Sequence, residues 1–407
     1  MGLAESFRLA WDALEPIGRD PATGGYSRFA WTSDDAALGA WFQAEAVARG
    51  MAAEQDRNGN QWAWWGDPGP GSVVTGSHLD SVPGGGAFDG PLGVLAGFLA
   101  VDDLRARGIT PRRPLAVVRF VEEEGARFGV SCLGSRLLTG DLAGARAGLL
   151  RDSAGVSLAE AMRAAGADPT RLGHDPEFLS RIATFVELHV EQGRALADIP
   201  DAVVGLATGI WPHGRWHYAV TGEPNHAGTT RLDDRHDPML GLAALVIAAR
   251  SAARRADGVA TVGKVRVDPG AANGIAATAG AWLDARGPDE AAIAAIVEEV
   301  TAATQAAAGE HGLTVDVNRV SYSPAVDFDR ALTDRLAALL RRDFGPVPLL
   351  ASGAGHDAGI LAATVPTAML FVRNPTGHSH TPAESATAGD CVAGAQALAA
   401  VVAELAC

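Results

Sequence analysis

Thr75–Gly90 reads TGSHLDSVPGGGAFDG, one histidine and two aspartates around a run of glycines. His78 and Asp80 are two residues apart, so on a strand they point to the same side. Val73 and Val74 before them are β-branched and apolar, which favours a buried strand ending near His78. Asp89 follows the turn Gly84-Gly85-Gly86, which lets the chain fold back toward His78. Imidazole and carboxylate are ordinary ligands for a zinc-type ion. Asp80 is better placed to hold the other ring nitrogen of His78 than to bind metal itself. A glycine-rich phosphate cradle is the competing reading, but neither GKS/GKT nor G-x-G-x-x-G occurs here.

Strand and helix alternate on both sides of this stretch. Upstream, 5–15 and 34–50 read as helices. The second opens on the cap cluster Thr32-Ser33-Asp34 and carries Leu38, Trp41, Phe42 and Ala46 at helical spacing. Asp56-Arg57-Asn58-Gly59-Asn60 is a turn between two short strands. Downstream, 91–107 reads as a helix with Pro91 in its first turn. LAVVRFV at 115–121 has the near-continuous apolar character of a buried parallel strand and ends in Glu122-Glu123-Glu124. IATFVELH at 182–189 is a third such strand, ending in His189. The alternation predicts an α/β sheet with helices on both faces, whose ligand sites lie at the carboxyl ends of strands.

The pattern changes near Gly209. Over 214–320 the order is strand 215–221, helix 236–256, strands 260–267 and 278–286, helix 289–308 and strand 313–320. That predicts an α+β insert of about a hundred residues, the size of one small domain. The first pattern then resumes with helix 330–343, a loop at Ser352–Asp357, strand 366–372 and a closing helix 389–405.

Composition narrows the partners. With 407 residues, 47% apolar and 20% charged, the chain suits a globular enzyme with a large core. A net charge of −15 argues against nucleic acid and anionic membrane as partners. Cys132, Cys391 and Cys407 are too few and scattered for a disulfide framework. The first residues are interrupted by Glu5, Arg8 and Asp12, unlike a secretory signal, although Gly2 and Ser6 fit a short myristoylation pattern. No apolar run reads as long and clean enough to span a bilayer, and a cytoplasmic protein is expected.

His78, Asp89, Glu123/Glu124, His189 and His380 are the ligand-type residues, most of them at or just past the end of a predicted core strand. Singly, each reads as well as a structural or surface residue. Together they favour a metal centre.

Six segments in order, GSHLDSVPGGGAFDG, EEEGARF, ELHVEQG, NHAGTT, SGAGHDA and GHSHTPAE, closely resemble the hydantoinase/carbamoylase branch of the dinuclear zinc aminoacylase–carboxypeptidase superfamily. That branch contains N-carbamoyl-L-amino-acid hydrolases, β-ureidopropionases and allantoate amidohydrolases. The resemblance implies an α/β fold with a dinuclear-metal exopeptidase-like catalytic domain, 1–208 and 321–407, and an inserted α+β lid and dimerisation domain, 209–320, in a homodimer. It implies two divalent metal ions, with His78 and His189 on one, Glu124 and His380 on the other and Asp89 bridging. Glu123 is then the general base. His226 stabilises the substrate oxyanion from the partner subunit, and Gln192, Asn273 and Arg286 hold the carboxylate and ureido groups of a small anionic substrate. The same ligands accept zinc, manganese, cobalt or nickel.

Three places depart from that branch. Arg231 and Leu232 stand where proline and methionine are usual, Arg373 and His378 where proline and isoleucine are usual, and Asn273 opens Asn-Gly-Ile-Ala-Ala. If Arg231 and Arg373 face the pocket, with His213 and His378 nearby, they are unpaired cations awaiting a second anionic group on the substrate. This puts Arg373 among the substrate-binding residues and favours allantoate or a carbamoyl or formyl derivative of an acidic amino acid. Hydrolysis of N-formyl or N-acyl acidic amino acids, a dipeptidase, and a non-catalytic binding protein on the same fold are the alternatives.

Overall fold

The computed structural model describes residues 2–407. The chain forms two compact units. One runs up to Gly209 and resumes over Asp327–Cys407, and the other is Ile210–Val326.

The first unit is built on a nine-stranded sheet. Its centre is four parallel strands in the order Leu115–Phe120, Ser72–His78, Ile182–Val190 and Thr367–Val372. Every residue of Ser72–His78, Leu115–Phe120 and Thr367–Val372 is buried, so their sequences do not alternate. Antiparallel strands extend the sheet, Gln61–Trp65 on one side and Val204–Ile210 on the other. Neither Val204–Ile210 nor Leu349–Ser352 was expected as a strand. Gly205 and Gly209 weaken the pattern of the first, and the second is only four residues long.

Alternate residues of Ile182–Val190 serve opposite faces. Leu188 lies against Gly394 of the helix Ala388–Ala406, while the carboxylate of Glu187 accepts the N–H of Ala358 in the helix Asp357–Leu361. Pro91–Ala106 and Ala388–Ala406 share the main core with these strands. Register aligns the carboxyl ends, pairing His78 with Phe120, and Phe371 with His189. The loops bearing the candidate site therefore leave one edge of the sheet.

The second unit is a four-stranded antiparallel sheet ordered Thr314–Ser323, His213–Thr221, Thr278–Arg286, Val259–Asp268. Thr278–Arg286 alternates half-buried and buried residues, the pattern of a sheet covered on one side. Its buried face packs on the helices Pro238–Arg255 and Glu290–His311 through Leu245, Ile293, Ile296 and Val300.

Contrary to the expectation from the sequence, Glu290–His311 and Ala388–Ala406 are long and apolar enough, by length and composition, to cross a membrane. Packing buries much of Ala388–Ala406 and one face of Glu290–His311. Ile296 and Val300 sit in the core of the second unit, and Leu398, Val401 and Val402 in the core of the first.

Candidate metal centre

Asp89 is the hub. Its Oδ1 lies 3.1 Å from His189 Nε2 and 3.5 Å from His78 Nε2, while Oδ2 lies 3.4 Å from His380 Nε2. Glu124 Oε2 is 3.4 Å from the same His380 nitrogen. Two candidate ligand groups thus share one carboxylate: His78, Asp89 and His189, and Asp89, Glu124 and His380.

The backbone makes this approach possible. Gly90, at φ +85°, caps the helix that starts at Pro91, and a Cβ there would lie 2.4 Å from the His78 ring. No other residue fits so close to the imidazole. His380 and Glu122 both adopt left-handed backbone conformations, at φ +58° and +54°. Such strain in non-glycine residues gathers at functional sites.

His78 and His189 are each fixed by their Nδ1. His78 Nδ1 lies 3.1 Å from the carbonyl of Asp80, and His189 Nδ1 lies 2.8 Å from that of Val190. A carbonyl only accepts, so each Nδ1 carries a hydrogen, and it is the neutral form of each ring that presents a lone pair at Nε2. Those Nε2 atoms are buried without a hydrogen-bond partner and face the Asp89 carboxylate. With Nε2 deprotonated, two imidazoles and a carboxylate converging on one point are a donor set that fits divalent metal.

Glu123 is buried beside the two groups. Its Oε2 is 3.7 Å from His78 Nε2, and its Oε1 accepts from the Cys132 thiol at 3.2 Å. Burial pushes the Glu123 carboxyl well above the usual range; His78 pulls it back, and Asp357 and Glu124 push it further up. Burial, then Asp89, raises Glu124 to about 7. Burial also opposes ionisation of Asp89, but His189, His380 and His78 hold it well below the usual carboxylate value.

Several expected contacts differ. The carboxylate of Asp80 accepts the N–H groups of Glu123 and Glu124 at 3.1 and 3.0 Å; the His78 Nδ1 hydrogen goes to its backbone carbonyl at 3.1 Å, with the side-chain Oδ1 3.6 Å from the same nitrogen. Asp80 thereby fixes the Glu123-Glu124 turn. The Gln192 amide nitrogen donates to Asp89 Oδ2 at 2.7 Å, while its carbonyl oxygen is buried without a hydrogen-bond partner. Arg373 is not an unpaired cation: Nε and Nη2 bind Asp390 at 3.1 and 2.8 Å. Arg231 pairs with Asp234, and its side chain is 77% exposed.

In the second unit, Arg286 pairs with Asp284 at 2.9 Å, a partly buried ion pair that Arg215 joins. Asn273 and His226 are neighbours: Gly274 pairs with His226, and the N–H of Ala227 donates to the Asn273 carbonyl. The exposed His226 accepts the N–H groups of Gly228 and Thr229 at Nδ1. The neutral ring therefore carries its hydrogen on Nε2.

Three buried groups near the centre were not singled out from the sequence. Glu384 accepts the N–H of Phe88 and of Asp89. His356 lies edge-on to His189 with ring centroids 4.6 Å apart. Asp357 bonds Ser135. The SGAGHDA and GHSHTPAE segments contained all three, but only packing distinguishes such residues from surface polar ones.

The sheet and its carboxyl-edge cluster of histidines and carboxylates are those of an α/β hydrolytic metalloenzyme class. Residues 74–404 match Peptidase family M20/M25/M40, and the chain belongs to that family. It is 36% identical to an N-carbamoyl-L-amino acid amidohydrolase of Geobacillus stearothermophilus, over 95% of this chain and 94% of that one. It is 32% identical to the allantoate amidohydrolase of Escherichia coli, over 98% and 96%. Its fold matches a hydantoinase/carbamoylase family amidase from Burkholderia multivorans with a TM-score of 0.87 and 30% identity, over 99% and 98% of the two chains.

Proposed function

We propose that this protein is a metal-dependent amidohydrolase that cleaves the linear C–N bond of a small N-carbamoyl or ureido acid. The observation that carries this reading is the division of the Asp89 carboxylate between two ligand groups, with Glu123 beside them. His78, His189 and Asp89 would hold one divalent ion, and Asp89, Glu124 and His380 a second, as zinc, manganese, cobalt or nickel. Ions held there supply Lewis acidity, making a nearby water more acidic and polarising the scissile carbonyl.

The remaining steps belong to side chains. Glu123 takes a proton from the attacking water and gives it to the leaving nitrogen. Addition of water across the bond of a carbamoyl acid yields the amine and carbamate, which breaks down to ammonia and carbon dioxide. The active unit is a homodimer, and His226 reaches the partner's site, where Nε2–H donates to the carbonyl oxygen as charge develops. Asn273 and Arg286 bind the substrate's polar ends. Gln192 and Asp80 are positioning residues, one on Asp89 and one on the Glu123-Glu124 turn.

The test is release of ammonia and amine from N-carbamoyl amino acids, N-formyl amino acids, allantoate and dipeptides by chelated protein reloaded with zinc, manganese or cobalt. Metal-dependent turnover of a carbamoyl or ureido acid is expected. Cleavage of dipeptides alone, or of formyl acids alone, overturns the substrate class.

A further inference from the structure

Glu384 closes the GHSHTPAE segment as a buried carboxylate. Its Oε1 accepts two adjacent backbone N–H groups, Phe88 at 2.7 Å and Asp89 at 3.0 Å, the latter across 295 residues of sequence. The loop on its own side is tied in the same place, because the N–H of Glu384 donates to the Thr381 carbonyl at 3.0 Å. Gly86 leaves room for this side chain: a Cβ at that position would lie 2.3 Å from Glu384 Cδ. One acceptor oxygen shared by two adjacent N–H groups fixes the position of that stretch of backbone against the Glu384 loop.

The two loops it joins are those of Asp89 and His380. Their facing atoms, Oδ2 and Nε2, lie 3.4 Å apart, although His380 is half exposed and sits in a strained backbone conformation. Neither property would hold His380 in place alone. We propose that Glu384 is the positioning residue of the metal centre. It fixes the backbone at Asp89 relative to His380 and so sets the separation of two groups that must meet one ion. This rests on the metal centre proposed above. Groups that orient ligands in this way commonly govern metal affinity by about 10–100-fold.

The experiment is calorimetric titration of chelated protein with zinc and with manganese, alongside circular dichroism and Tm of the metal-free forms. Wild type is expected to bind two ions per chain. Glu384→Ala should bind at least one of them about 10–100-fold more weakly while keeping its fold. Glu384→Gln keeps a carbonyl oxygen for the two N–H groups and should recover most of the affinity. Gly86→Ala displaces Glu384 and should resemble Glu384→Ala. Wild-type affinity for both ions in folded Glu384→Ala overturns the inference, as does Glu384→Gln binding no better than Glu384→Ala. If Glu384→Ala does not fold, wild-type affinity in Gly86→Ala overturns it instead. A wild-type chain that takes up no ions overturns the metal centre itself, and this inference with it.

Discussion

Arg373 grips Asp390 through two parallel hydrogen bonds, Nε to Oδ2 and Nη2 to Oδ1. Asp390 stands in the first turn of the closing helix and is almost fully buried. The pair therefore ties the loop after Thr367–Val372 to that helix, and the arginine has no charge left unpaired for a second anionic group of a substrate. Arg373→Ala is expected to strand the Asp390 carboxylate and lower stability by about 1–3 kcal/mol, read as a fall in Tm. The ratio of kcat/KM for N-carbamoyl-glutamate over N-carbamoyl-methionine should stay within about twofold, far less than the loss of a substrate-binding ion pair would give. A selective loss on the glutamate compound would return Arg373 to the pocket.

Glu123→Gln removes the proton acceptor and leaves the shape of the site. Turnover should fall by about 10²–10⁴-fold, the usual contribution of a positioned general base, while metal content by elemental analysis stays at the wild-type level. Asp89→Ala should do the reverse at the first step, losing metal, because both ligand groups share that carboxylate. Metal-free Glu123→Gln, or fully loaded Asp89→Ala, would exchange or cancel these roles.

The difference between what the sequence discloses and what it conceals is a matter of locality. His78 and His189 stand at the ends of apolar runs, so residue type and predicted strand together mark them. Glu122 does not stand out from Glu123 and Glu124 in a row of three. Only the fold separates it, since its carboxylate accepts the N–H groups of Arg127 and Phe128 and closes the turn. The helix Leu133–Thr139 was missed because its cap position holds Cys132 in a left-handed conformation, with no side-chain cap to announce it. Arg373 and Asp390 are 17 residues apart on different elements, and Glu384 and Asp89 are 295 apart. Such pairings exist only once the sheet has brought the loops together. The α/β class was readable for the opposite reason, because buried parallel strands carry their own continuous apolar signature.

The Cys132 thiol is the donor that faces Glu123 Oε1, and the N–H of Cys132 also bonds the Glu123 carbonyl. Burial pushes this thiol well above its ordinary pKa, with Glu123 and Asp357 adding to the rise, so it remains S–H. A hydrogen bond of this kind is worth about 0.5–1.5 kcal/mol, hence roughly a factor of two to ten in kcat if it holds the base in its working rotamer. Cys132→Ala should show that loss with KM and metal content unchanged, and Cys132→Ser, which restores a donor, should recover it. Equal activity in all three proteins would reduce Cys132 to packing.

His226 carries its imidazole hydrogen on Nε2, because two backbone N–H groups occupy Nδ1. It is exposed on a two-residue strand in the second unit. A donor fixed in tautomer and left exposed suits a group that acts on a carbonyl supplied from elsewhere, which is the role proposed for it in the partner's site of a homodimer. His226→Ala should cost about 10²–10³-fold in kcat, as for loss of one oxyanion donor, with metal content unchanged. Mixed with Glu123→Gln protein under conditions of subunit exchange, it should regain activity. A heterodimer has one site that combines an intact Glu123 with an intact His226 from the other chain, so random exchange restores up to about a quarter of wild-type activity per site. Mass spectrometry can establish the exchange independently. Heterodimers that form and remain inactive would place His226 in its own subunit's site, or outside the reaction altogether.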